Sequence, residues 1–321
     1  MLKFVFLPPH NEARRSWGER LQADLTSYRI VTAETEADAR REIIDADGVY
    51  GWVPPDILPL AEKLRWLHSP HIAPKADFYY QALIDHPVIV TNPRGTYNDI
   101  IAQHTLMYVL ALARGLPFFM KAQHQKRWDR EAPRDEFINV ATTTVLIYGV
   151  GGIGHETAKI CAAFGMRVLG IDTRWEYDTP MLEKHAPDDL DKLLPEVDFV
   201  IVTVPHTPET EGMWRADKFR LMKKSAHFIN IGRGLTTSLD DLVDALEAGV
   251  IAGCGLDVYE TEPLPADHKL WSLPNVILTP HVAGKDAPGV TDRQYEILLE
   301  NMRRFADGKP LINIVDKRVW Y

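Results

Sequence analysis

Short apolar runs alternate with polar or helix-like stretches up to about residue 95. LKFVFL, RIVTA, GVYGWV, LRWLHS and PVIVTN are nearly unbroken in apolar character and predict buried strands. ERLQADL and EADARREIID, between them, predict helices. Strand and helix in alternation imply a parallel sheet covered on both faces. The stretch 97–123, YNDIIAQHTLMYVLALARGLPFFMKAQ, is apolar around most of a helical circumference, so it predicts a helix buried between layers. Asn98 would cap it, and its length suits a crossing between two α/β halves. A second series begins at 143: TTVLIYGV, MRVLGID, DFVIVTVP, HFINIGR, GCGLDVY and VILTPH. Six further strands match the count of a doubly wound nucleotide-binding sheet. A last helix is expected over 290–307, stopped by Gly308.

Composition narrows the class. With 321 residues the chain is long enough for two domains, and its 45% hydrophobic and 25% charged content is ordinary for a globular protein. The net charge is −9 and no basic stretch stands out, which argues against nucleic acid and anionic membrane as partners. A small anion could still be held by local positive groups. Cys161 and Cys254 lie in apolar surroundings and read as free thiols of a reducing cytosol. The apolar run Phe4 to Leu7 is too short for a signal peptide, and no uninterrupted stretch approaches the ~18 residues of a membrane span. The expectation is a soluble cytoplasmic protein. The histidines show no HxxxH or HxH spacing, so no metal site is expected.

Gly149-Val150-Gly151-Gly152-Ile153-Gly154 follows an apolar strand and precedes the helix-like HETAKICAAF. Gly149 would permit the tight turn, Gly151 the approach of a pyrophosphate, and Gly154 close helix–strand packing. The following strand ends in Asp172, placed to accept hydrogen bonds from the adenosine ribose. That acid favours NAD, while Arg174 two residues on could pair with a 2′-phosphate, so NADP stays open.

Three ionisable residues fall at the ends of successive late strands, where an open α/β sheet binds its ligand: Arg233, Glu262 and His281. With GVGGIG (149–154), PHTPETEGM (205–213), INIGRG (229–234), GLDVYETEPLP (255–265) and TPHVAG (279–284) in this order, the second half of the chain resembles the D-isomer-specific 2-hydroxyacid dehydrogenase family, of the glyoxylate/hydroxypyruvate reductase kind. NDIIAQHTLMYVLALAR (98–114) fits more loosely. The resemblance implies two doubly wound parallel-sheet domains, a flavodoxin-like substrate domain (1–97 plus 290–321) and a Rossmann NAD(P)-binding domain (98–289), with an interdomain cleft and a homodimer.

It also implies the chemistry. Arg233 would grip and polarise a 2-oxoacid with its planar fork. His281 would exchange the proton, and Glu262 would orient the ring and favour its charged form. Pro205 and Thr207 stand where the family's loop passes the cofactor, with His206 where an aliphatic residue is more usual. Asn230 and Gly232 share Arg233's turn. Asp257 resembles the family aspartate at the nicotinamide carboxamide, and Glu260 reads as solvated. One departure concerns the glycine-containing substrate loop: here the region is His68-Ser69-Pro70-His71-Ile72-Ala73-Pro74, so His71 and Ile72 become the substrate-facing candidates. Gln103 stands where glutamate is common and reads as a helix-packing residue. The expected activity is interconversion of a small 2-oxoacid and its D-2-hydroxyacid. Two other readings share the fold: an NAD-sensing co-repressor-like regulator, and a formate-dehydrogenase-like enzyme, against which Glu262 argues because those relatives pair the histidine with glutamine.

Overall fold

The structure is a computed structural model that describes residues 1–72, 76–130, 137–285 and 287–319. Elements are numbered in chain order. Alternation by twos explains the first strand. In β1 (Leu2–Phe6) Phe4 and Phe6 enter the core on one face of the sheet, while Val5 and the following Leu7 enter the core on the other. β2 (Tyr28–Thr32), β3 (Gly48–Tyr50), β4 (Trp66–His68) and β5 (Ile89–Thr91) complete a five-stranded parallel sheet ordered β2-β1-β3-β4-β5. This is the flavodoxin-like order. Trp17 and Leu21 of α1 (Glu12–Asp24) pack on one face with Tyr295, Leu298 and Met302 of α10 (Val290–Ala306). Ala39 of α2 (Glu36–Glu42) and Leu83 of α3 (Gln81–Asp85) cover the other face.

Caps set these helix limits. α1 begins seven residues before ERLQADL, at Glu12 rather than Glu19, because the Asn11 side chain accepts from the Arg14 N–H at 2.9 Å. α2 opens on a Thr35–Asp38 capping box. Gly308, at φ 65°, follows the end of α10 in the left-handed region that stops a helix.

The chain divides into two compact units, Met1–Thr96 with Pro288–Tyr321, and Tyr97–Ala287. The second holds β6 (Thr144–Tyr148), β7 (Arg167–Ile171), β8 (Leu182–His185), β9 (Phe199–Val202), β10 (His227–Asn230), β11 (Gly253–Leu256) and β12 (Val276–Leu278). All pair in parallel, in the order β12-β11-β10-β9-β6-β7-β8. The sheet has seven strands where six were expected. β8, LEKH, escapes the apolar pattern because it is an edge strand with only Leu182 buried. The order reverses between β6 and β9, and that is where a doubly wound sheet opens a ligand crevice.

The long apolar stretch 97–123 is two helices, α4 (Asn98–Ala113) and α5 (Leu116–His124), bent by 73°. Gly115 adopts φ 61° and Pro117 cannot continue the i→i−4 ladder, so one helix over 97–123 is ruled out. Among the described residues no single helix is long and apolar enough to cross a membrane; the bent pair passes by length and composition only, and α4 is a core helix with Tyr108, Val109 and Leu112 buried. Asn98 is not the cap: Tyr97 is, and Asn98 is the first helical residue. Gln103 is exposed rather than packed. The short helices α7 (Leu190–Leu193) and α8 (Ala216–Leu221), with α9 (Leu239–Glu247), cover one face of this sheet.

β6 leads into α6 (Gly152–Ala163) through the glycine motif. A Cβ on Gly154 would collide with the Gly149 carbonyl oxygen. Gly154→Ala is therefore expected to cost about 1–3 kcal/mol as the helix is pushed from the strand. Thermal unfolding followed by circular dichroism checks this; an unchanged midpoint would show that the helix moves freely.

Candidate active site

β10, β11 and β12 end level with one another: Asn230 pairs with Leu256, and Leu256 with Leu278. The loops that follow carry Arg233, Asp257 to Glu262, and His281, so the register of three strands brings distant sequence positions to one sheet edge.

Asn230, fully buried, frames the turn that presents Arg233. Its Oδ1 accepts from Gly232 N–H at 2.9 Å and its Nδ2 donates to the Arg233 carbonyl at 3.2 Å and to Thr237 Oγ1 at 3.0 Å. A Cβ on Gly234 would collide with the Tyr259 carbonyl, so this turn packs directly on the β11 loop. Burial lowers the Arg233 guanidinium from its ordinary value, and the Glu262 charge opposes that shift. The two groups therefore share one field.

Glu262 is held at both oxygens. Oε1 accepts from the Tyr259 N–H at 3.0 Å, and Oε2 lies 2.8 Å from His281 Nδ1. The Tyr259 hydroxyl donates to the carbonyls of Leu256 and Thr279, at 3.1 and 2.9 Å, tying the β11 and β12 loops together. The His281 side chain is 50% exposed. With Nδ1 on the carboxylate, Nε2 is the nitrogen free to exchange a proton with a bound molecule.

His281 has φ 54°, a left-handed conformation that costs a non-glycine residue on the order of 1 kcal/mol or more. Asp257 supports it. Its carboxylate, 1% exposed, accepts from the Val282 N–H and the Ala283 N–H, both at 2.9 Å, and from the Thr279 hydroxyl. His104 and Tyr108 of α4 join from behind: His104 Nε2 lies 3.0 Å from Thr279 Oγ1 and 3.8 Å from Asp257 Oδ1, and Tyr108 donates to the Leu256 carbonyl at 2.9 Å. Burial lowers the His104 imidazole, with Asp257 opposing. The sequence reading missed this network. Its one signal was a pair of polar-tipped residues four apart, on one face of an otherwise apolar helix. Glu260 also differs from expectation. It is exposed, yet its Oε2 accepts from the Leu239 N–H at 2.7 Å and so satisfies the first turn of α9.

The glycine loop is shaped for a pyrophosphate. Gly149 sits at φ 101°, which makes the sharp turn, and a Cβ on Gly151 would point into open space. Open space beside Gly151 leaves the N-terminus of α6 accessible on that side, where amides and the helix dipole favour an anion, while the Asn98 side chain lies against Gly152. A dinucleotide phosphate fits this cradle. Asp172, just past β7, accepts from the Val150 N–H and, at 2.8 Å, from the Arg174 N–H, so it braces the glycine loop. Arg174 is exposed. Past β9, Thr210 Oγ1 donates to the Pro205 carbonyl and accepts from the Thr207 N–H, each at 2.8 Å, which pins the loop beside the glycine turn. Among the described residues no group of three His, Cys, Asp or Glu side chains could hold a metal ion.

In the first unit, Ser69 Oγ accepts from the His71 N–H at 3.2 Å, and Asn92 donates to the Ile72 carbonyl at 2.8 Å. The His71 ring is exposed, Ile72 half-buried, and the His71 amide is already used within the loop. Ala73 and Pro74 lie outside the described residues.

A parallel sheet with this glycine loop at its switch point, and an arginine and a carboxylate-bound histidine at neighbouring strand ends, defines an NAD(P)-dependent dehydrogenase. The chain belongs to the D-isomer specific 2-hydroxyacid dehydrogenase family, whose NAD binding domain model matches residues 106–283. It is 33% identical to the glyoxylate reductase of Thermofilum pendens over 72% of this chain and 69% of that one. It resembles the family member from Xanthobacter autotrophicus Py2, solved with NADPH and MES, with TM-score 0.83, 28% identity and coverage of 99% of both chains. The NADPH-dependent glyoxylate/hydroxypyruvate reductase of Sinorhizobium meliloti, solved with NADP and sulfate, gives TM-score 0.82 and 25% identity over 100% of both.

Asp257→Asn exchanges one acceptor oxygen for a donor facing backbone N–H groups. It is expected to cost about 1–3 kcal/mol of stability and to lower turnover by displacing His281. Urea unfolding and steady-state kinetics check this; a variant with parental values in both would remove Asp257 as the support of the turn.

Proposed function

We propose that this protein is an NAD(P)H-dependent reductase of small 2-oxoacids of the glyoxylate and hydroxypyruvate class, forming the D-2-hydroxyacid. The observation that carries the reading is the His281 Nδ1 to Glu262 Oε2 contact of 2.8 Å, with the half-buried Arg233 in the field of the same carboxylate. The reductase names of the relatives support it. A bound reduced nicotinamide supplies the hydride. Arg233 holds the substrate carboxylate and draws electron density towards the carbonyl oxygen. His281 Nε2 donates the proton that this oxygen needs, and Glu262 fixes the ring and stabilises the charged imidazolium. In the reverse direction the same nitrogen accepts the proton.

In this reading the second unit binds the cofactor and the first serves the substrate, with His71 and Ile72 as its substrate-facing candidates. Gly149, Gly151, Gly152, Ile153 and Gly154 surround the pyrophosphate, and Pro205 and Thr207 line the cofactor's path. Asp172 meets the adenosine ribose and favours NAD, while exposed Arg174 lets NADP enter. Asp257 is the candidate contact to the nicotinamide carboxamide, besides its support of the His281 turn. The protein works in the cytoplasm as a homodimer, a state supported by the apolar side chains exposed on the second unit at Met107, Leu116, Met120 and Phe137. Sedimentation at equilibrium is expected to return twice the 36.4 kDa chain mass.

Arg233→Ala and His281→Ala are expected to lose at least about 100-fold in kcat/KM for glyoxylate while still binding NADH. Glu262→Gln should lower kcat about tenfold or more, and Glu260→Gln should leave it near the parent. NADH and NADPH absorbance across a panel of 2-oxoacids, with NADH binding by fluorescence, provides the measurements. His281→Ala with parental turnover would remove the proton donor. Silence of the parent across the panel would favour a regulatory role.

A further inference from the structure

His155 stands in the first turn of α6, directly after the glycine motif, and has no role in the proposed hydride and proton transfer. Its side chain is 16% exposed and meets the loop that follows β7. Nδ1 lies 2.8 Å from Thr179 Oγ1, and the ring stacks on Tyr177 with centroids 5.0 Å apart and planes 22° from parallel. Thr179 is buried, and its hydroxyl otherwise reaches only the Tyr177 carbonyl, at 3.5 Å, among the described residues. A buried hydroxyl needs a partner, and here the close one is the imidazole.

The loop so held, 172–181, is the one that opens with Asp172 and Arg174. Asp172 Oδ2 accepts from Val150 N–H on the glycine loop, and Oδ1 accepts from Arg174 N–H at 2.8 Å. The far end of the loop is tied to β8: Leu182 N–H donates to the Thr179 carbonyl at 3.2 Å, and the Lys184 ammonium lies 5.0 Å from the centroid of the Trp175 ring. β8 is an edge strand with two of its four residues exposed, so it is a weak anchor. His155 joins the middle of the loop to α6 instead. The helix turn that offers its amides to a phosphate therefore also holds the loop that carries Arg174.

We propose that His155 is a positioning residue for cofactor selection: by clamping the loop after β7 to α6 it fixes the Asp172 carboxylate to favour a free adenosine 2′-hydroxyl over a 2′-phosphate. This role rests on the assignment of Asp172 to the adenosine ribose. With the clamp closed, the Arg174 N–H stays on Asp172 Oδ1 and the carboxylate keeps one orientation. It then accepts from a ribose hydroxyl and repels a phosphate. With the clamp open, the loop gives up that N–H, the carboxylate turns, and the exposed Arg174 side chain gains reach towards a 2′-phosphate. Loss of the clamp therefore weakens the dinucleotide without a 2′-phosphate more than the one that carries it. A ring that only held α6 in shape would weaken both alike.

The test uses the full chain and measures NADH and NADPH dissociation constants by nicotinamide fluorescence, which needs no 2-oxoacid. In His155→Ala the ratio of the NADPH constant to the NADH constant is expected to fall about three- to tenfold, the scale of one lost hydrogen bond. Thr179→Val removes the hydroxyl and keeps the shape. It should move the ratio the same way, and it reads the clamp if His155→Ala does not fold. Tyr177→Phe keeps the stacked ring and should keep the parent's ratio. Hydrogen exchange at the Arg174 amide in the cofactor-free chain should quicken about tenfold in His155→Ala. Equal weakening of both cofactors, or parental ratios in both His155→Ala and Thr179→Val, overturns the proposal. So does a parental ratio in Asp172→Asn, which separates failure of the ribose assignment from failure of the clamp.

Discussion

The carboxylate of Asp257 is the interaction on which the site depends. It is buried, and it accepts two backbone N–H groups and a hydroxyl from the turn after β12. Hydrogen bonds to a buried charge contribute roughly 1.5–3 kcal/mol each, enough together to outweigh the strain of a left-handed histidine. Without that turn His281 has no reason to stand at φ 54° with its Nδ1 on Glu262. His104 and Tyr108 extend the support into α4, a helix that is itself packed on α6 behind the glycine loop. Cofactor loop and histidine turn are thus fastened to one buried helix.

Sheet register does the rest of the assembly. β10, β11 and β12 stop level, so three loops separated by tens of residues share an edge. The strand order places the glycine loop and the Pro205 loop on either side of the switch point between β6 and β9. Glycine is required where these loops touch other backbone. Gly154 packs on the Gly149 carbonyl and Gly234 on that of Tyr259, and a methyl group would part either pair. The candidate site is therefore a set of close backbone approaches, with a few polar side chains set upon them.

Much of this was legible before any coordinates. Both parallel sheets followed from unbroken apolar runs between helices, and Arg233, Glu262 and His281 followed from their places at strand ends. The misreadings have local physical causes. β8 is polar because an edge strand is half solvated. The break between α4 and α5 was visible in Gly115 and Pro117 but outweighed by a continuous apolar composition. Asn98 has a capping side chain, yet tertiary packing draws it to Gly152 instead.

The acids of DVYETEPLP show the division most plainly. Alternation and motif spacing determine that a strand ends there and that one acid follows close to a proline. They do not say which oxygen meets which donor. Only the folded chain decides that Asp257 holds the His281 turn, that Glu260 caps α9, and that Glu262 binds the His281 ring. The reason is range. Periodicity and turn chemistry act between neighbours and are written in the chain, whereas each of these carboxylates meets a partner 19 to 26 residues away, brought within 3 Å only by the register of the sheet.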